Sequence, residues 1–265
     1  MGNNNKQFAK SWAVILGGSS GFGLAAVEKL ASHGMNIAVV YREIASADRE
    51  LKGKLQDLAI ATGTTILPFN INALDGEARK TFIENIQLSI PQKSVKLLLH
   101  SIARGNLKPL VNETSELSIE DIQLTTYAMA TSILDWTKDL LKAGLFNDDA
   151  RVIGLTSEGS TRYWEGYAAV SVAKSSLESL NKYMAVELSK FGIKTNLIQA
   201  GVTATPSLKR IPDSERLMET ASNRNPFGRL TKPQDVANVI YLLCTPEAAW
   251  INGTVIHVDG GEHCR

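Results

Sequence analysis

The sequence predicts an α/β fold, a Rossmann-type doubly wound parallel sheet, in a single domain spanning residues 1–265. Short apolar runs alternate with longer amphipathic stretches, which is the pattern of strands joined by crossover helices. The strand-like runs are apolar throughout, as expected where helices cover both faces of a sheet. A chain of 265 residues is also long enough to bury a full core without disulfides or metals.

Seven strands and six helices follow from this pattern. The predicted strands are 11–16, 36–41, 64–71, 95–100, 151–155, 194–199 and 255–258. The predicted helices are 24–33, 44–61, 75–89, 118–144, 167–190 and 233–244. The polar, irregular segment 203–226 breaks this rhythm. Long irregular segments within compact domains are often lids, so we expect a substrate lid here; the alternative is a plain surface helix.

Composition excludes several classes of function. A net charge of +1 provides no field that favours nucleic acid or a membrane surface as partner. No apolar run approaches the length of a membrane span, and the polar first ten residues lack a signal core. We therefore expect a frayed start and a cytoplasmic protein. The two cysteines, Cys244 and Cys264, are expected to be reduced, and the spacing of the four histidines predicts no metal site.

A glycine-rich turn lies between the first strand and the first helix, with the pattern Gly17-x3-Gly21-x-Gly23. Glycines allow the tight turn and let the backbone approach a pyrophosphate closely. The helix that follows supplies amide donors and a partial positive charge at its N-terminus. This placement, with Phe22 inside the turn, predicts a dinucleotide site.

The end of the second strand bears on the choice of cofactor. A basic residue there accommodates a 2′-phosphate, whereas an acidic one hydrogen-bonds the 2′-hydroxyl of NAD. Arg42 therefore favours NADPH over NADH, and Ser19 and Ser20 are further candidates for contacting that phosphate. Glu43 argues against this interpretation, and the alternative is that Arg42 is a solvated surface residue.

Further cofactor contacts are expected where other strands end, because open sheets bind ligands at the carboxyl ends of their strands. After the third strand, Asn70 and Ile71 would flank the adenine. After the fourth strand, Ser101, Ile102 and Ala103 would lie along the ribose and pyrophosphate. The loop after the sixth strand would bind the carboxamide and reach the pyrophosphate; its candidate residues are Gly201, Val202, Thr203 and Thr205.

Together these motifs resemble the short-chain dehydrogenase/reductase superfamily, from about Ala13 to Gly261. The resemblance includes Asn70-Ile71, the run Asn225-Pro226-Phe227-Gly228-Arg229 and the closing Gly253-x4-Val258-Asp259-Gly260-Gly261. In that superfamily the closing motif helps to form the subunit interface. The resemblance therefore implies a homotetramer.

One departure from the superfamily pattern indicates the reaction. Ordinary members carry a catalytic tyrosine four residues before the lysine, but here that position is Val170, and Tyr167 stands seven residues before Lys174. This spacing is similar to that of bacterial enoyl-acyl-carrier-protein reductases, as are His100-Ser101-Ile102 and Thr126-Tyr127. The region from Arg162-Tyr163 to Glu187-Leu188 resembles the NADPH-using type III group. Ser157, seventeen residues before Lys174, occupies the ordinary serine position.

The displaced tyrosine suits conjugate reduction. Hydride goes to the β-carbon of an enoyl thioester, while negative charge develops on the carbonyl oxygen two carbons away. A shift of three residues moves the donor by nearly one helical turn, about 4.5 Å of rise. We therefore assign Tyr167 to the enolate oxygen, Lys174 to the nicotinamide ribose, and Ser157 to positioning Tyr167 or the carbonyl. The alternatives are a packing aromatic and a solvated lysine.

The substrate side is expected to be apolar. Leu208, Ile211, Leu217 and Met218 suit an amphipathic lid over an acyl chain, and Tyr163 either lines that pocket with Trp164 or packs. The segment from Thr205 to Lys232 contains six basic and three acidic residues, and this local excess of positive charge would suit an acidic carrier protein. We thus expect an NADPH-dependent enoyl reductase acting on acyl-carrier-protein thioesters. The alternatives are a carbonyl or 3-oxoacyl reductase of the same fold and an idle NADP-binding regulator.

Overall fold

The computed structural model describes residues 7–265 and contains one seven-stranded parallel sheet with the order β3-β2-β1-β4-β5-β6-β7. The strands are β1 (Trp12–Leu16), β2 (Asn36–Tyr41), β3 (Ile66–Asn70), β4 (Val95–His100), β5 (Phe146–Thr156), β6 (Ile193–Ala200) and β7 (Val255–Val258). The predicted doubly wound parallel sheet is therefore confirmed. β5 begins five residues earlier than predicted because Phe146 pairs with Val95 ahead of a register shift.

Helices cover both faces of the sheet. They are α1 (Gly21–Ser32), α2 (Ala45–Thr62), α3 (Gly76–Ser89), α4 (Ile119–Thr126), α5 (Ser132–Lys142), α6 (Ala168–Glu187), α7 (Ser214–Arg224) and α8 (Pro233–Cys244). Each face has its own apolar core, one around Trp136 and Phe82 and the other around Leu30 and Ile240. The central strands contribute to both cores, which explains why their sequences are apolar throughout.

Three expectations need correction. The predicted helix 118–144 is interrupted by a π-helical turn, Tyr127–Thr131, between α4 and α5. The segment 203–226 is not irregular throughout, because it contains a 3₁₀ turn, Leu208–Arg210, and the helix α7. The frayed start is wrong for residues 7–10, since Phe8 is buried and its N–H donates to the carbonyl of His33; residues 1–6 lie outside the described part.

The topology also fixes where a ligand would bind. The strand order reverses between β1 and β4, whose carboxyl ends flank a crevice. The two strands stay in contact to their ends, since the N–H of Ser101 donates to the carbonyl of Leu16. No helix within residues 7–265 is long and apolar enough to cross a membrane.

Candidate active site

The glycine turn packs too closely for side chains. A Cβ atom on Gly23 would collide with the carbonyl oxygen of Gly17, and one on Gly17 would collide with that of Ser101. Gly17 and Gly21 also have positive φ angles of 82° and 54°, which favour glycine. The turn thus delivers the N-terminus of α1 to the crevice, and the hydroxyl of Ser20 does not cap that helix. A pyrophosphate fits this cradle of backbone amides.

Arg42 lies at the end of β2, where its side chain is exposed. The side chain of Asn70, which is predicted to flank the adenine, also holds the backbone of Glu43: Oδ1 accepts from the N–H of Glu43 at 3.0 Å, and Nδ2 donates to the carbonyl of Glu43 at 2.9 Å. Asn70 therefore fixes the loop that follows Arg42, a role that the sequence did not indicate.

Tyr167 is the residue immediately before α6, and its side chain is partly buried. Its hydroxyl donates to the Oγ of Ser157 at 3.4 Å, and burial raises the pKa of the phenol above its ordinary value. Gly159, which the sequence analysis missed, lies against the ring, because a Cβ atom there would be 2.7 Å from Cδ1 of Tyr167. The two predicted residues are thus brought together, and Gly159 makes room for the ring.

Lys174 lies in the second turn of α6 and is 5% exposed. Its ammonium donates to the carbonyl of Leu155 at 2.7 Å and to that of Met129, in the π-helical turn, at 3.4 Å. Burial lowers its pKa to about 8. The π-helical turn thus supplies one of the two carbonyls that accept from Lys174. Such turns are frequent at functional sites.

Val170, at the position of the ordinary catalytic tyrosine, has no group that could donate a proton. Val170 is 3% exposed and packs in the core. His100, at the end of β4, is also buried, and its Nε2 shares a hydrogen bond of 2.8 Å with the hydroxyl of Ser132. Burial lowers the pKa of His100 to about 3, so its imidazole is neutral at pH 7. Tyr167 is therefore the available donor beside Ser157.

The loop after β6 already uses its backbone groups. The N–H of Val202, which we expected to grip a carboxamide, donates to Oε2 of Glu262 at 3.3 Å, and its carbonyl accepts from the N–H of Thr231 at 3.1 Å. The hydroxyl of Thr203 donates a hydrogen bond to the carbonyl of Gly201. The hydroxyl of Thr205 accepts from the N–H of Leu208 at 3.2 Å. Glu262 therefore enters the site from the C-terminal turn, which the sequence analysis missed.

Arg224 connects the segment 203–226, which is predicted to be a lid, to this region. Its guanidinium contacts Glu158, next to Ser157, at 2.5 Å and Glu262 at 2.8 Å. Glu262 is 2% exposed and Arg224 is largely buried, so this is a shielded network. Arg162 adds a 3.1 Å ion pair to Glu158. These ion pairs thus link α7, the turn after β5 that carries Glu158, and the C-terminal turn.

A cavity of about 470 Å³ joins these parts. Most of the predicted catalytic, nicotinamide-side and substrate residues line it: Phe22, Ser101, Ile102, Ala103, Ser157, Tyr163, Tyr167, Lys174, Gly201, Val202, Thr203, Thr205 and Leu208. The predicted residues of the glycine turn, the adenine site and the 2′-phosphate site lie outside it: Gly17, Ser19, Ser20, Gly21, Gly23, Arg42, Asn70 and Ile71. The cavity therefore lies where the sequence predicted the nicotinamide and the substrate.

The cavity is apolar toward the lid. Leu208, Ile211 and Leu217 line it, and Trp164 donates from Nε1 to the carbonyl of Pro212 at 3.4 Å. Tyr163 stands at the mouth with 88% of its surface exposed, so it does not pack as a core aromatic. Met218 and Tyr127 are not among the lining residues, and the hydroxyl of Tyr127 donates to Asp135 instead.

The strand order, the glycine cradle and the buried lysine define the class of protein, an oxidoreductase that uses a nicotinamide dinucleotide. Residues 17–263 match the family described as Enoyl-(Acyl carrier protein) reductase. The chain therefore belongs to this family, within the short-chain dehydrogenase/reductase superfamily, whose members bind NAD(P)H.

Similar proteins carry different activities in their names. The chain is 27% identical over 252 residues to the uncharacterized oxidoreductase YmfI of Bacillus subtilis, covering 95% of this chain and 98% of that protein. It is 26% identical to the 3-oxoacyl-[acyl-carrier-protein] reductase FabG of Escherichia coli, with 95% and 96% covered.

The NADH-dependent enoyl-[acyl-carrier-protein] reductase FabI of Aquifex aeolicus is 26% identical over 219 residues, with 82% of this chain and 79% of that protein covered. A crystal structure of the Aquifex aeolicus enoyl reductase has the same fold, with a TM-score of 0.84 at 23% identity over 97% of this chain and 98% of that one. Because FabG and FabI are named for different reactions, the site must indicate the reaction.

Proposed function

We propose that the protein reduces the trans-2 double bond of enoyl thioesters carried on acyl carrier protein, with NADPH as reductant. The observation that carries this proposal is the position of Tyr167, together with buried Val170 at the ordinary tyrosine position. A donor displaced by nearly a helical turn suits an oxygen that lies two carbons from the atom receiving hydride.

Three side chains, those of Tyr167, Ser157 and Lys174, would have separate roles in this reaction. The phenol of Tyr167, kept protonated by burial, donates to the thioester carbonyl and stabilises the enolate oxygen as charge develops. Ser157 lies within 3.4 Å of that phenol and orients it. Lys174, held by the carbonyls of Leu155 and Met129, would bind the nicotinamide ribose. Bound NADPH would supply the hydride.

The choice of NADPH rests on Arg42. Its exposed guanidinium at the end of β2 is free to meet a 2′-phosphate, and Asn70 holds the adjoining backbone in place. Charge-assisted hydrogen bonds from arginine to phosphate are among the stronger polar contacts in proteins.

The carrier-protein preference rests on a smaller patch than the sequence indicated. Of the six basic residues between Thr205 and Lys232, three form ion pairs: Arg216 with Asp213, Arg224 with Glu158 and Glu262, and Arg229 with Asp235. Arg210 lines the cavity and Lys209 precedes it in the chain; both are exposed, and neither has an ion pair among the described residues. They would meet an acidic carrier protein where its thioester enters.

A direct assay tests the reaction. Purified protein is mixed with NADPH and crotonyl thioester, and oxidation of the nicotinamide is followed by absorbance. A parallel run uses acetoacetyl thioester. We expect turnover with the crotonyl substrate; turnover of the ketone alone would contradict the proposal.

A second candidate is reduction of a 3-oxoacyl thioester. Ser157 stands at the ordinary serine position, and its hydroxyl contacts that of Tyr167 at 3.4 Å, so this pair is also able to protonate a ketone oxygen. The acetoacetyl run separates the two candidates, because only this one predicts turnover there without turnover of the enoyl substrate.

A further inference from the structure

The C-terminal turn places a buried carboxylate beside the loop that follows β6. Glu262 is 2% exposed and lines the same cavity as Val202 and Lys174. Its Oε2 accepts from the N–H of Val202 at 3.3 Å, and its Oε1 accepts from the guanidinium of Arg224 at 2.8 Å. The cavity therefore has a negatively charged acceptor next to the backbone group that is predicted to bind the nicotinamide carboxamide.

Specific residues on both sides allow this approach. A Cβ atom on Gly201 would lie 2.8 Å from Oε2 of Glu262, so a side chain at position 201 would displace the carboxylate. The turn that carries Glu262 is fixed by Asp259, whose carboxylate accepts from the backbone N–H groups of Gly261 and His263. The carboxylate is thus held in place from the turn and admitted by the loop.

Glu262 has spare capacity to accept hydrogen bonds. A carboxylate offers about four lone-pair sites, and among residues 7–265 only Val202 and Arg224 donate to this one. The contact with Val202 is also longer than the usual N–H···O separation of about 2.7–3.2 Å. Both the N–H of Val202 and Oε2 of Glu262 are therefore available to a ligand that fits them better.

A primary carboxamide matches these two groups. It presents an oxygen that accepts and an NH₂ that donates, side by side. The N–H of Val202 donates and Oε2 of Glu262 accepts, so the two pairs are complementary. The carbonyl of Val202 is already engaged by the N–H of Thr231 at 3.1 Å. The carboxylate, rather than that carbonyl, therefore has the capacity to accept from the NH₂.

We propose that Glu262 binds the nicotinamide carboxamide of the cofactor, accepting from its NH₂ while the N–H of Val202 donates to its oxygen. A hydrogen bond to an ionised acceptor is stronger than one between neutral groups. Held through both atoms, the carboxamide would keep the nicotinamide ring in one orientation toward the substrate. The site depends on the proposed use of NADPH, but not on the substrate that is reduced.

Calorimetric titration of the full chain with NADP⁺ and with its acetylpyridine analogue tests the proposal. The analogue carries a methyl group in place of the amide NH₂ and keeps the carbonyl oxygen, so only the contact with Glu262 is lost. From the usual contribution of a hydrogen bond to a charged group, the wild type should bind NADP⁺ about 10- to 100-fold more tightly than the analogue. Glu262→Met, which removes the acceptor, should bind the two ligands alike.

Two further variants separate a direct contact from an effect on the turn. Glu262→Gln keeps the shape and a neutral acceptor, so the preference for NADP⁺ should fall to about two- to tenfold. Glu158→Gln is the matched control, because Glu158 shares Arg224 with Glu262 but does not contact Val202 among the described hydrogen bonds. It should keep the wild-type preference.

The outcomes distinguish this site from the proposed function. A wild type that binds both ligands alike, or a Glu158→Gln variant that loses the preference, would overturn the contact. A Glu262→Met variant that keeps the preference while both affinities fall would show that Glu262 only holds the turn. A wild type that binds neither ligand would contradict the proposed cofactor as well. The titrations contain no thioester, so none of these results depends on which substrate is reduced.

Discussion

At the scale of single residues, the two proposed catalytic side chains, Tyr167 and Lys174, have different hydrogen-bond partners. The phenol of Tyr167 faces Ser157, while the ammonium of Lys174 is bonded to carbonyls from β5 and the π-helical turn. Burial acts on both groups in the direction of the neutral form, raising the pKa of Tyr167 and lowering that of Lys174. These opposite shifts allow the two roles to be tested independently.

Tyr167→Phe removes the donor and keeps the ring that packs on Gly159. Loss of one oxyanion donor lowers turnover about 10²–10³-fold in well-studied enzymes, and we expect a similar loss here. NADPH affinity, measured by fluorescence titration, should stay within about twofold. Tyr163→Phe is the matched control, because this exposed tyrosine has no contact with Ser157 among the described hydrogen bonds. Unchanged turnover in Tyr167→Phe would transfer the role to Tyr163.

NADPH binding should weaken above pH 8. The pKa of Lys174 is lowered to about 8, so the ammonium that would hold the ribose is present below that pH and is lost as the pH rises through it. Affinity measured calorimetrically should therefore fall by up to about tenfold per pH unit above this value. Tyr167 does not account for such a fall, because its pKa lies above the ordinary phenol value. Lys174→Met should bind weakly at every pH, and a wild-type profile flat to pH 10 would contradict the assignment.

Arg42→Ala tests the cofactor preference. Hydrogen bonds to charged groups contribute about 1.5–3 kcal/mol, so losing them should weaken NADPH binding about 10- to 100-fold. NADH, which lacks the 2′-phosphate, should bind the variant and the wild type alike. Equal loss of both cofactors would point to a disturbed loop, and no loss would leave Arg42 a solvated surface residue.

At the scale of elements, the sequence predicted the strands well because each is a short apolar run covered on both faces. It gave α7 only as an alternative to an irregular segment, because a strongly polar helix with one buried residue, Ala221, has the composition of a loop. It missed the π-helical turn because Tyr127–Thr131 has ordinary helical composition and differs only in hydrogen bonding. The contacts of Gly159 and Glu262 could be found only from the structure, because their partners are distant in sequence or are set by packing.

Arg224 at the end of α7 should contribute more to stability than its neighbours on the same helix. Arg224→Met would leave Glu262 buried without its cation, a cost of about 1–3 kcal/mol. For a chain of this size that corresponds to a drop in Tm of roughly 3–8 °C. Arg216→Met is the control, because Arg216 is 76% exposed and its contact with Asp213 spans 3.6 Å. Differential scanning calorimetry should separate the two variants, and equal Tm values would mean that the network does not stabilise the lid.

At the scale of the whole molecule, β7 forms one edge of the sheet, and no further strand pairs with it among residues 7–265. β7 is the outermost strand, only four residues long, and the loop before it exposes Trp250 at 98% and Ile251 at 39%. Phe227, near the closing glycines, is 78% exposed. Large apolar side chains grouped at an open sheet edge are typical of subunit interfaces. From Trp250 and Ile251 before β7, and Phe227 beside the closing glycines after it, we therefore predict a subunit interface along this edge, in line with the homotetramer that the resemblance implies.

Replacement of one such side chain should therefore change the state of assembly. We expect the wild-type chain to elute as a tetramer, with its mass measured by light scattering, because a self-complementary edge is buried most simply by a symmetric copy. Trp250→Lys places a charge where the interface would be dry, so the variant should dissociate to smaller species at micromolar concentration. Leu88→Lys, at a 90% exposed leucine on α3, controls for the loss of an exposed apolar residue as such. A monomeric wild-type chain, or a Trp250→Lys variant that stays tetrameric, would show that this edge is not the interface.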